Sequence, residues 1–313
     1  MRAVTLDSVP ATPAVTEVDT PRPEAGELLV KVDAASVNGF DLAVTAGYLQ
    51  GMMEHRFPLV LGKDFAGTVE ALGDGVEGFA VGDAVFGAVM KPFLGTGSLA
   101  EYVTVSAGYG VAPLPAGLAA ADAGALAVAG ATAVDSLNAV ALAEGETVLI
   151  SGAGGGVGSL AVQLAAARGA RVIATARPGA QADFVGGLTG TDAEVHVVDF
   201  TGDLEAQVRA IAPEGVDAAL HLAGDGPQLA GLLRAGGRIA SPVGLTPDAV
   251  KDQDVTVHPI MADPNASTLT SLAEQAASGS LRVPVTATYP LEQATEAFAA
   301  FAGTPGKVVV TRS

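Results

Sequence analysis

The chain has 313 residues, 40 of them Gly and none Cys, and 49% are hydrophobic; that length accommodates about two domains, each able to bury its own core. The absence of Cys excludes disulfide frameworks, thiolate zinc sites, iron–sulfur clusters and a thiol nucleophile. With 16 basic against 34 acidic residues, the net charge of −18 opposes binding to phosphate backbones and anionic lipid, so neither a nucleic-acid nor a membrane partner is expected.

In chain order, the N-terminus Met1-Arg2-Ala3-Val4-Thr5-Leu6-Asp7 carries charge at once and has no apolar stretch of signal-peptide length, which makes the cytoplasm the expected location. Residues 1–115 lack helical periodicity and break into short strands: Leu28–Val32, Gly67–Leu72 and Ala84–Gly87, separated by the glycine-rich turns of 73–83. The apolar tract from Leu114 to Ala143 contains Asp122 and Asp135 and reads as buried helix packing, not as a membrane span.

From about Leu118 strands and helices alternate, which predicts a parallel sheet with crossover helices. The strands are Thr147–Ser151, Arg171–Thr175, Glu194–Val198, Asp217–Leu222, Gly237–Ser241 and Val255–Ile260; the clearest helices are Val157–Arg168 and Leu204–Ile211. Six strands in that order match a doubly wound dinucleotide-binding domain. The remainder predicts a helix Thr268–Ala277, a strand Val283–Tyr289, a helix Leu291–Ala302 and a closing strand Lys307–Thr311. That last strand is too apolar to hang free and is expected to return to the first module. The expected domains are therefore 1–117 with 263–313, and 118–262.

The strongest local motif joins the strand Thr147–Ser151 to the turn Gly152-Ala153-Gly154-Gly155-Gly156-Val157-Gly158 and a following helix. A glycine turn between a strand and a helix N-terminus aims backbone N–H groups and the positive end of the helix dipole at a pyrophosphate. Read strictly, Ala153 holds the first place of G-x-G-x-x-G, with Gly155 and Gly158 in the other two. About twenty residues further on, NAD enzymes place an acid on the ribose hydroxyls. Here the second strand ends Thr175-Ala176-Arg177-Pro178. A guanidinium in that place suits a 2′-phosphate, so the expected cofactor is NADPH.

Taken together, the blocks Ala35–Asp41, Pro58–Gly67, Gly78–Gly87, Gly130–Ala133, the glycine loop with Gln163, Leu233–Arg238 and Gly306–Val309 resemble the zinc-free quinone oxidoreductase (zeta-crystallin-like) branch of the medium-chain dehydrogenase/reductase family. The resemblance covers nearly the whole chain. It implies an α/β fold of two parts, a GroES-like β-rich catalytic domain and a Rossmann cofactor domain, with the active site between them. Zinc-dependent relatives hold the metal with a Cys and a His at places where this chain has Asn38 and Lys63. Catalytic zinc takes about three protein ligands, and His55, His196, His221 and His258 have no metal-like spacing. No metal is expected.

The resemblance further implies that Asn38, Asp41 and Tyr48 line the nicotinamide and substrate cleft as catalytic residues, Tyr48 as a possible proton donor or a pocket wall. It places Asn38, Thr132, Gly152 to Gly158, Ala176, Arg177, Val243, Gly244 and Lys307 against the cofactor. The Leu49–Phe57 segment departs from the family pattern, and its Met52 and Met53 suit an adaptable pocket wall. His221 stands where many relatives have an acid. The function implied is hydride transfer from NADPH, without zinc, to a quinone or an α,β-unsaturated carbonyl. Two alternatives remain open: a protein that holds NADPH without efficient turnover, and a non-redox, cyclase-like enzyme on the same fold. The Pro259-containing sixth strand suits a sheet edge, and relatives pair such edges, so a homodimer is expected.

Overall fold

The computed structural model describes residues 1–191 and 193–312. The chain divides into two compact units: Met1–Val128 with Pro264–Ser313, and Ala129–Asp263. The first division falls inside the helix Ala127–Ala139, later along the chain than the change of pattern at Leu118.

The first unit is built on β-structure. Among the described residues its main sheet runs in the spatial order Val111–Pro113, Ala84–Ala88, Asp64–Leu72, Glu27–Ser36, Lys307–Thr311, Val285–Pro290, and Tyr102–Ser106 also pairs with the long strand Glu27–Ser36. The closing strand lies antiparallel to that long strand, Val309 opposite Ser36. Its run of Val308, Val309 and Val310 is buried, which is why a segment so far along the chain belongs here. Phe65, Phe86, Leu28, Leu61 and Leu99 are fully buried core residues of this unit.

The second unit is a six-stranded parallel sheet in the order Val195–Asp199, Arg171–Ala176, Thr147–Ser151, Val216–His221, Leu233–Ser241, Val255–Pro259. This is the doubly wound order, with its topological switch between the first and fourth strands, and the expected fold class holds. Helices Gly156–Ala167 and Leu204–Ile211 follow the positions read from sequence. The Pro259 strand lies at the sheet edge.

Two local differences have physical causes. The segment after Ser36 is not irregular: Gly39–Thr45 forms a short helix. Seven residues are too few to show helical periodicity, and the helix is held by its cap instead. The expected helix Leu291–Ala302 is split into a tight 3₁₀ turn, Leu291–Gln293, and a helix, Ala294–Phe301.

Candidate active site

Asn38 caps the Gly39–Thr45 helix in extended backbone geometry, φ −125° and ψ 159°. Asp41, three residues on, turns back to accept from the Asn38 backbone N–H at 2.8 Å, the reciprocal half of a capping box. Its other oxygen accepts from the Gly62 N–H at 2.9 Å. Gly62 has φ +106°, and a Cβ there would stand 2.7 Å from Ser98 Oγ and still closer to the Leu99 backbone, so only Gly allows this approach. Burial raises the Asp41 carboxyl from 3.8 to about 6; its two backbone N–H donors pull the other way, Asp64 adds to the rise and Lys63 opposes it.

Beside Asp41 lies a wholly buried polar cluster centred on Asp64. Its Oδ2 accepts from Ser36 Oγ at 2.6 Å, Asn38 Nδ2 at 3.0 Å and Lys307 Nζ at 3.3 Å, and its Oδ1 accepts from the Val128 N–H at 2.7 Å. Lys307 Nζ also donates to Asn38 Oδ1 at 2.8 Å. The Lys307 and Asp64 side chains are 3% and 0% exposed, so the charges meet each other and not water. Of the residues expected at the site, the structure thus joins Asn38 and Lys307 directly, with Asp41 one bond away. Ser36 and Asp64 complete the cluster, and nothing in the sequence links positions 36, 64 and 307. Tyr48 stands apart, 76% exposed on the turn after the helix.

In the second unit the glycine turn has the geometry its sequence predicts. Gly152 takes φ +69° and donates its N–H to Thr175 Oγ1 at 3.0 Å. A Cβ on Gly158 would sit 2.6 Å from Ala153 Cα and nearer still to the Gly152 carbonyl oxygen, so the helix packs on the turn only because position 158 is bare. The helix bonds begin with Ser159 N–H to Gly155 O, 2.9 Å. The first-turn amides before it point out of the helix end, as an anion site requires.

At the tip of the next strand Ala176 is buried and paired with Asp199, and Arg177 is exposed, with its guanidinium carbon 5.9 Å from the Phe200 ring centre. Asp199 is engaged by Thr201, accepting from its N–H at 2.8 Å and its hydroxyl at 2.6 Å. The residues present therefore fit a dinucleotide: a bare turn at a helix N-terminus for the pyrophosphate, with a cation at the neighbouring strand tip.

Thr132 is buried in the helix Ala127–Ala139, and its carbonyl accepts from Ser136 Oγ at 2.7 Å. Val243 and Gly244 lie exposed beyond the fifth strand of the parallel sheet, Gly244 with φ +92°. The backbone there is held by His221 and Ser241. His221 Nε2 lies 3.1 Å from the Gly224 carbonyl, which only accepts, so this nitrogen carries the proton. Nδ1 then accepts from Ser241 Oγ at 3.0 Å. Ser241 Oγ in turn accepts from the N–H groups of Val243 at 3.3 Å and Leu245 at 3.1 Å. His221 and Ser241 thus fix the backbone that presents Val243 and Gly244.

Among the described residues no three His, Asp or Glu side chains come together as metal ligands. The Asn38 amide is engaged by Lys307, Ser36 and Asp64, and Lys63 brings a cation. This donor set does not fit a catalytic zinc. No described helix is long and apolar enough to cross a membrane.

Residues 24–116 match the alcohol dehydrogenase GroES-like domain and residues 193–310 match the zinc-binding dehydrogenase family. The chain is 30% identical over 302 residues to the chloroplast envelope quinone oxidoreductase homolog of Arabidopsis thaliana, covering 90% of this chain and 88% of that protein. It is 37% identical over 212 residues to the chloroplastic quinone-oxidoreductase homolog of Spinacia oleracea, covering 66% of this chain and 62% of that one. Among solved structures, the quinone oxidoreductase of Coxiella burnetii superposes with a TM-score of 0.89 at 28% identity, over 100% of this chain and 99% of that one. A mycobacterial protein solved in complex with NADPH gives 0.86 at 26% identity, over 99% and 100%.

Proposed function

The chain belongs to the quinone oxidoreductase (zeta-crystallin-like) branch of the medium-chain dehydrogenase/reductase family, and from that premise we propose that it is a zinc-independent, NADPH-dependent reductase of quinones or α,β-unsaturated carbonyls. The observation that carries this reading is the Gly152–Gly158 turn, closed on its helix by the bare Gly158, with Arg177 at the neighbouring strand tip.

Bound NADPH supplies the hydride. The first-turn amides from Gly156 to Gly158 would hold its pyrophosphate, Arg177 would take its 2′-phosphate, and the loop pinned by His221 and Ser241 would present Val243 and Gly244 to its nicotinamide. Asn38 and Lys307 hold each other and act as positioning residues, as does Asp41, whose carboxylate oxygens are both bonded to backbone N–H groups. Tyr48, exposed and followed by the Met52–Phe57 segment, stands at the substrate's entrance. An acceptor that is already electron-poor requires no Lewis acid, which suits a site without a zinc ligand set. The protein acts in the cytoplasm on small molecules, as a homodimer paired at the Val255–Pro259 edge.

The test is NADPH oxidation by the purified protein with simple quinones and enones, with NADH in parallel. Turnover with NADPH preferred is the expected result; tight NADPH binding with no acceptor reduced overturns the reading. Arg177→Ala is expected to weaken NADPH binding about tenfold or more, the loss of one charge-assisted phosphate contact, and to leave NADH binding unchanged.

A further inference from the structure

The first unit has a small cleft, partly open to solvent, whose lining includes Phe40, Asp41, Leu59, Lys63, Lys91 and Phe93. Most of the lining is apolar, and its charged residues are Asp41, Lys63 and Lys91. Lys91 is neutralised by an ion pair with Glu27. Lys63 is not: among the described residues its Nζ has no hydrogen bond or close ion pair. Its Nζ lies over the Phe40 ring, 5.1 Å from the ring centre. Burial pushes the Lys63 ammonium below its ordinary value, and the more distant charges of Asp41 and Asp64 only partly offset this. Asp41 and Asp64 are themselves fully engaged by other donors. Lys63 is only partly buried, so water solvates its ammonium in the free protein, and an anionic ligand oxygen entering the cleft replaces that water with a charge-assisted hydrogen bond.

We propose that the Lys63 ammonium is the oxyanion-binding group of this cleft: it holds the acceptor oxygen on which negative charge collects during reduction, and it passes that oxygen a proton. The proposal rests on the reductase reading for its substrate. The acceptor gains a hydride with its two electrons while NADPH is oxidised, and the electron pair displaced from the acceptor's π-bond comes to rest on oxygen. There an N–H bond of Lys63 breaks and an O–H bond forms. The N–H electron pair stays on nitrogen, and the neutral amine takes a replacement proton from water. Lys63 is then a catalytic residue, and its lowered proton affinity makes it the better acid.

Para-nitrophenol tests this without turnover, because its phenol and phenolate forms absorb at different wavelengths and the phenolate mimics a developing enolate. Titrated into the full chain loaded with NADP⁺, it is expected to bind with its ionisation shifted about tenfold toward phenolate, the fold-change that one pKa unit represents. Lys63→Met is expected to abolish the shift and Lys63→Arg to keep it. Failure of the probe to bind the wild-type protein, or the same ionisation in wild type and Lys63→Met, overturns the proposal. NADPH oxidation with a quinone separates the two readings. Wild-type turnover that Lys63→Met matches removes the role of Lys63 and leaves the reductase standing. No turnover in wild type, with a Lys63-dependent phenolate shift, removes the reductase and leaves the oxyanion site.

Discussion

The two units hold their key groups by opposite means. Around Asp64 the first unit uses charged and polar side chains from positions 36, 38, 64 and 307 that saturate one another in a dry interior. Around Gly152–Gly158 the second unit uses almost no side chains, only backbone amides and the room left by absent Cβ atoms. A side-chain cluster is fragile, because deleting any member strands its partners. A backbone cradle depends on the sequence only through what it forbids.

The sharpest break in that comparison is Lys307→Met. It leaves the Asp64 carboxylate buried without its cation, and removing one partner of a buried pair costs about 3–5 kcal/mol. Urea unfolding of the full chain is expected to show that loss, and Asp64→Asn combined with Lys307→Met to recover much of it, because the stranded charge is gone. Measuring NADPH affinity on the double variant then separates the two roles of Lys307. An unchanged Kd makes it a positioning residue, whereas a weakened one places its amine on the cofactor.

The same contrast explains what was legible beforehand. The cradle is local: a strand, a glycine turn and a helix within 147–167 announce both geometry and ligand class, and the alternating strands that follow give the parallel sheet. The Asp64 cluster is non-local. Lys307 meets Asn38 across 269 positions, and neither periodicity nor spacing encodes such a pairing, so the roles of Ser36 and Asp64 are not legible and those of Asn38 and Lys307 follow only from family resemblance. The Gly39–Thr45 helix lay between these cases. Asn38 followed three residues later by Asp41 is a capping signal, but the segment is too short to confirm it by an apolar stripe. His221 was visible as an oddity; its partner Ser241, on the adjacent strand, was not.

Asp41 sharpens the comparison in a second way, since a buried carboxylate makes the first unit sensitive to pH. Its proton affinity is higher folded than unfolded, 3.8 rising to about 6. The native state therefore binds the proton more tightly, and the resulting stability is present below pH 3.8 and lost as pH rises through about 6. At about 1.4 kcal/mol per tenfold change in proton affinity, this amounts to roughly 3 kcal/mol. Other carboxylates titrate in the same window, so the relevant quantity is the difference between wild type and Asp41→Asn. Subtracting the variant's stability from that of wild type at each pH between about 4 and 6 should leave a term that falls with pH. A flat difference means that the Asp41 carboxyl titrates normally in the fold.

The cradle's own vulnerability is steric, and its cost is the smallest of the three. Gly158→Ala adds one methyl, and that methyl meets backbone: the Gly152 carbonyl oxygen and, at 2.6 Å, Ala153 Cα. Neither atom rotates away as a side chain does, so the helix must draw back from the turn, at about 1–3 kcal/mol for overpacking of this kind. The stability change understates the functional one. The amides that face the phosphate belong to the residues that move, and a hydrogen-bond donor displaced by even a fraction of an ångström loses its alignment. Gly158→Ala is therefore expected to weaken NADPH and NADH binding alike, whereas Arg177→Ala affects NADPH alone. Fluorescence titration with both cofactors distinguishes the two patterns. Equal weakening of both cofactors by Arg177→Ala, or selective weakening of NADPH by Gly158→Ala, means that the cradle and the strand tip do not divide the pyrophosphate and the 2′-phosphate between them.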